Sequence, residues 1–158
     1  MTKTFMIALL MIVDSYCCFG QTKQDGQPGY DGALAKKLGA DAYGMKSYVM
    51  VFLKEGPVKI KDSVAREKLQ TAHLKNILKL AGEGKLIVAG PFADNQEIRG
   101  IFIFNVSTVE EAKKLTESDP AVQAGTLIME LHPWYGSAAL VEIPGIHKKI
   151  QKKSVVDN

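Results

Sequence analysis

A histidine set in the apolar stripe of a helix is the first residue in this chain whose placement suggests chemistry. Leu69, His73, Ile77 and Leu80 follow one another at offsets of four, four and three, which the helical period puts on one face. Lys68, Lys75 and Lys79 fall on the opposite side. An imidazole turned toward a core requires a partner, because burying an unpaired polar group costs roughly 2–7 kcal/mol. The sequence offers Asp119, at the end of a second helical segment. A carboxylate bonded to one imidazole nitrogen fixes the tautomer and makes the other nitrogen more basic, as general-base catalysis needs. The same residues admit a plainer reading, in which Asp119 caps the turn ahead of Pro120 and His73 bonds a backbone carbonyl.

Three other groups could contribute. Glu130 and His132 lie two apart on a strand and so share a face, away from Leu127, Met129 and Leu131. They can extend a polar pocket or give two metal ligands, but no third ligand stands near them, so polarity of a sheet edge is the better account and no metal is expected. Gly90-Pro91-Phe92, with Asp94 just after, can rim a pocket or simply end a strand. His132-Pro133-Trp134-Tyr135-Gly136 gathers two aromatics and an indole donor, more often core closure than a ligand wall. Phe92, Asp94 and Trp134 are the expected pocket walls. The chain has no Walker loop, dinucleotide glycine pattern, nucleophile elbow or H-E-x-x-H.

The elements that must position these residues can be read from pattern. Residues 48–53 form a continuous apolar run of aromatic and β-branched members, a buried strand ended by Gly56-Pro57. The helix carrying His73 follows, with Asp62 or Ser63 as N-cap and Gly82/Gly84 as stop. Residues 85–89 and 98–106 read as strands two and three. Ser107-Thr108-Val109-Glu110 opens a second helix in capping-box style, and Asp119-Pro120 ends it. Residues 126–132 make the fourth strand. The order β-α-β-β-α-β is that of the ferredoxin-like unit, an α+β fold. Strands one to three are apolar on both faces, yet two helices cover only one face of a four-stranded sheet. With no third layer in view, the second face is expected to pack on another copy, making a homodimer.

The termini read differently. Lys3 and the apolar run at residues 5–13 precede Ser15-Tyr16-Cys17-Cys18-Phe19-Gly20, then the polar Gln21-Thr22-Lys23-Gln24. That is the pattern of a secretory signal over residues 1–20, too short to span a bilayer. Tyr16 and Cys17 match a lipoprotein signal poorly, so an exported, periplasmic or secreted chain without a stable membrane anchor is expected. Both cysteines leave with that segment, and with them any disulfide, thiol nucleophile or cysteine metal site. Residues 21–45 read as a flexible linker with a short helix at 33–38 closed by Gly39. Residues 46–140 hold the domain, and residues 141–158 a basic tail, solvated or touching an anionic surface. The net charge of +3 is spread along the chain and does not call for nucleic acid.

The strand Tyr48-Val49-Met50-Val51-Phe52, His73-Leu74, Gly90-Pro91-Phe92 with Asp94, Ser107-Thr108-Val109-Glu110-Glu111-Ala112, Asp119-Pro120, Gly125 and Pro133-Trp134 occur in that order. Between Tyr48 and Tyr135 the chain thus resembles the YciI-like (YCII-related) domain family. The resemblance implies a dimeric α+β barrel of ferredoxin-like protomers and an active site centred on a histidine and an aspartate, here His73 and Asp119. It also implies kinship with enzymes that dechlorinate or isomerise small cyclic compounds. The expectation is a small exported enzyme of lyase, isomerase or hydrolase type, using His73 and Asp119 for proton transfer without a cofactor. The alternative is a non-catalytic dimeric module that binds a small molecule in the periplasm.

Overall fold

The computed structural model describes residues 26–94 and 96–157, so the export signal expected at residues 1–20 lies outside the described residues. Residues 26–30 form a turn in which the Tyr30 N–H donates to the Gln27 carbonyl at 2.9 Å. From Asp31 onward the elements are helix α1 (Gly32–Leu38), strand β1 (Met45–Glu55), helix α2 (Ser63–Gly82), strands β2 (Leu86–Pro91) and β3 (Ile98–Phe104), helices α3 (Val109–Thr116) and α4 (Pro120–Gln123), and strand β4 (Leu127–Ser137). A 3-10 turn (Ala138–Glu142) and helix α5 (Ile143–Ile150) follow. The four strands form one antiparallel sheet in the order β2-β3-β1-β4, the ferredoxin-like α+β arrangement that the pattern predicts.

Side-chain alternation along β1 divides the interior. Val49, Val51 and Leu53 face the helices and build the main core with Leu80, Leu86, Phe102, Phe104 and Ala112. Tyr48 points the other way and packs with Ile103 and Ile87. A bulge sits between Leu86 and Val88, where the β2–β3 register shifts. It sends both Ile87 and Val88 to that second side, which explains an apolar run with no alternation. Pro133 is accommodated because β4 is an edge strand.

Three expectations are corrected. The second sheet face is not bare, because Leu140 and Val141 of the 3-10 turn pack on Tyr48, Ile87 and Ile103. The expected tail at 141–158 is helical over its first part: Pro144 in the first turn presets the backbone for α5, which contacts β2. The fourth strand also runs past His132 to Ser137, so the aromatic cluster lies inside the strand rather than beyond its end. The helix in the 21–45 segment forms as expected, closed by Gly39 at φ +70°.

Candidate functional site

α2 brings His73 to the core because its start and its face are both well specified. The Asp62 carboxylate accepts the Ala65 N–H at 2.7 Å, capping the first turn. The stripe Leu69, His73, Ile77 and Leu80 then turns inward, with His73 and Leu80 buried. His73 is 7% exposed, and its ring stacks on Phe102 with centroids 6.2 Å apart and planes at 19°. Phe102 belongs to the helix-facing side of β3, so the imidazole lies sandwiched between helix and sheet.

Asp119 arrives from a different setting than the sequence suggests. α3 closes at Thr116, and Asp119 is the N-cap of the separate α4, with Pro120 at its first position. This corrects its placement at the end of the preceding helix. The Asp119 Oδ1 accepts the Ala121 N–H at 2.9 Å. Both carboxylate oxygens also reach His73 Nδ1, Oδ2 at 2.7 Å and Oδ1 at 3.0 Å. At 1% exposure Asp119 is among the most buried side chains, and a carboxylate there needs these donors.

The geometry has a direct chemical reading. Nδ1 donates to a carboxylate, so the neutral ring keeps its proton there and presents a lone pair at Nε2. Nε2 has no hydrogen-bond partner among the described residues, while no buried side-chain nitrogen or oxygen among them is left unpartnered. Nε2 is therefore open to a small molecule or to water. A nitrogen oriented by a carboxylate and free to accept is what proton abstraction requires.

The other site candidates lie apart from this pair. Trp134 pairs in register with Tyr48, its ring 5.8 Å away, on the sheet face opposite to His73. It does not wall the space around His73 within one chain, since alternation along β4 turns it away. Phe92 and Asp94 are exposed after β2, with Asp94 accepting the Gln96 N–H at 3.2 Å. Glu130 and His132 share the second face and bond each other at 2.8 Å. Lys54 bridges Glu130 at 2.7 Å and Glu97 at 2.9 Å. Lys54, and after it His132, holds the Glu130 carboxyl below its ordinary range. Among the described residues no cluster of three or more His, Cys, Asp or Glu is set to hold a metal.

Two surface depressions complete the picture. One, of about 390 Å³, is lined by Lys54, Glu55, Gln96, Glu97, Arg99 and Ile128. The other lies on the outer side of α2, by Val64, Lys68 and Lys75. Neither contains His73. Sequence reasoning missed Phe102 as the ring beneath the imidazole; its alternation with Ile101 and Ile103 was the available signal.

No curated protein matches this chain. Among solved structures it is similar to 5-chloro-2-hydroxyhydroquinone dehydrochlorinase from Burkholderia phenoliruptrix AC1100 in complex with 2,5-dihydroxybenzoquinone. That similarity has 20% identity and a TM-score of 0.43, covering 55% of this chain and 92% of that one. The sequence profile of the YCII-related domain matches residues 47–135, a span that includes all four strands' central residues, His73 and Asp119. The chain belongs to the YCII-related domain family.

Proposed function

We propose that this chain is a small enzyme in which His73 moves a proton to or from a small cyclic or carbonyl-bearing substrate. The observation that carries the reading is the two-oxygen grip of Asp119 on Nδ1, with Nε2 left without a partner among the described residues. His73 Nε2 takes the proton, and Asp119 orients the ring and stabilises the imidazolium that forms. Proton transfer of this kind contributes roughly 10²–10⁴-fold, so lyase, isomerase or hydrolase chemistry with an acidic C–H or a leaving group is the class it suits. The reaction as proposed uses no cofactor. Export to the periplasm or medium is part of the proposal and rests on the signal-like pattern of residues 1–20. So is a homodimer, which would seat on the uncovered part of the second sheet face around Phe52, Ile101 and the exposed Ile128.

The test is solvent deuterium exchange into a panel of small cyclic carbonyl compounds, followed by NMR with the wild type and His73→Gln. Exchange that requires His73 supports the reading; exchange that is unchanged in the variant removes it.

One observation favours a second reading. Asp119 also caps α4, so its carboxylate has structural work independent of any reaction. A non-catalytic module that binds a small molecule would keep the same pair for polarity alone. Under that reading His73→Gln lowers stability and leaves ligand binding and the absence of turnover as they were.

A further inference from the structure

We propose that α5 and the residues just after it form a docking surface for an anionic phospholipid membrane. Ile143, Ile146 and Ile150 recur at offsets of three and four, which puts them on one side of the helix. They are 37%, 55% and 74% exposed, so the stripe is not spent on this chain's core. Lys149 borders it, Lys148 lies on the opposite side of the helix, and Lys152 and Lys153 extend the charge beyond the helix end; all four are exposed. Among the described residues the lysine ion pairs are those of Lys37, Lys54 and Lys59, so these four amines face water.

Lysines in the last turn complement the helix dipole, and that alone could explain Lys148 and Lys149. It does not explain three exposed isoleucines in register beside them. An amphipathic helix with an apolar stripe and a basic flank lies in a membrane interface, apolar side down, with its amines among anionic headgroups. The stripe is presented by a firm base, since Leu140 and Val141 anchor the preceding turn on Tyr48, Ile87 and Ile103. Glu142, the nearest acid on the same segment, is engaged by Lys37 at 3.1 Å. A second copy fits the stripe less well. Twofold pairing through it would set the lysines of one chain against those of the other.

The experiment is co-sedimentation of the full chain with vesicles of phosphatidylglycerol and phosphatidylcholine, against vesicles of phosphatidylcholine alone. Residues 1–20 are then common to every variant, so differences between variants report the α5 surface. Wild type should bind the anionic vesicles, more weakly as salt rises. Ile146→Ser with Ile150→Ser should reduce binding at least tenfold. Lysine-to-glutamine changes at 149, 152 and 153 should each reduce it about fivefold. All these side chains are exposed, so circular dichroism and melting should be unchanged. Equal partitioning of wild type and both variant sets would overturn the proposal. So would loss of a lipid-free oligomer in the double serine variant, which would assign the stripe to a second copy.

Discussion

Asp119 reaches His73 across 46 residues of sequence and does two jobs with one carboxylate, holding Nδ1 with both oxygens and capping α4 with one. The two jobs can be separated by substitution. Asparagine remains a good N-cap, whereas alanine loses the cap, worth about 1 kcal/mol, and also leaves Nδ1 unpaired. Asp119→Asn should therefore cost less stability than Asp119→Ala by roughly that amount in urea denaturation. Ring ¹⁵N shifts of His73 should show the Nδ1–H tautomer dominant in the wild type and relaxed in Asp119→Asn. A tautomer unaffected by the change would leave Asp119 as a cap alone.

Gly56 should tolerate no side chain. A Cβ there would lie 2.2 Å from the Gly125 carbonyl oxygen, and the contact is backbone on both sides. The crossing is held by the Gly56 N–H to Thr126 at 2.8 Å and the Val58 N–H to Gly125 at 3.1 Å. It ties the exit of β1 to the turn between α4 and β4, and so fixes the distance between the helix of His73 and the segment of Asp119. Gly56→Ala should cost about 1–3 kcal/mol or more, read as a lower denaturation midpoint. Under the enzyme reading it should also lower turnover without touching either site residue.

The tie between Asp41 and Tyr135 should give stability a pH dependence at both ends. The Tyr135 hydroxyl donates to Asp41, and this bond, with the Met45 N–H next, holds the Asp41 carboxyl below its ordinary value of 3.8. The folded state thus favours the carboxylate. Its stabilisation is present above that ordinary value and is lost as pH falls through the folded value. Asp41 in turn pushes the Tyr135 hydroxyl above its ordinary 10.0, a contribution present below 10.0 and lost as pH rises through the folded value. Tyr135→Phe should flatten both limbs of the stability profile. Both groups are exposed, so the change will be small beside the core terms. Unchanged limbs would show that the bond does not persist in solution.

Trp134 is the only tryptophan in the chain and gives a direct optical check of the second sheet face. Its indole lies over Gly136, where an added Cβ would meet ring carbons at 2.4 and 2.5 Å. Gly136→Ala should displace the ring from Tyr48 and shift the fluorescence emission to longer wavelength. His73 faces the other side, so its ring NMR signals should stay in place. Movement of both signals together would contradict the two-sided arrangement.

The helix of His73 was legible because one period accounts for Leu69, His73, Ile77 and Leu80, and Asp62 marks its start. The strand order followed from four apolar runs and their Gly-Pro breaks. Asp119 was legible as a partner but not as a cap, since a proline after an aspartate reads equally as the end of one helix or the first residue of the next. The cover on the second face was hidden for another reason. Leu140 and Val141 precede a lysine-rich stretch whose charge outweighs the isoleucines between the lysines, and only the 3-10 turn after Ser137 folds them back. Trp134 was misplaced relative to His73 because the fourth strand was expected to stop at His132; with the strand running on to Ser137, alternation sets Trp134 on the face of Glu130 and His132.

Pro133 has a consequence for how copies of this chain can meet. Gly56 bonds Thr126 and Ala138 bonds Gly44, so even-numbered β1 residues exchange hydrogen bonds with β4 and the Val49–Pro133 pair does not. The N–H that Pro133 lacks would have pointed outward, midway along the free rim of the sheet. An incoming strand would find a missing donor and a bulky ring at the centre of its ladder. Growth of the sheet by strand addition along β4 is thereby disfavoured.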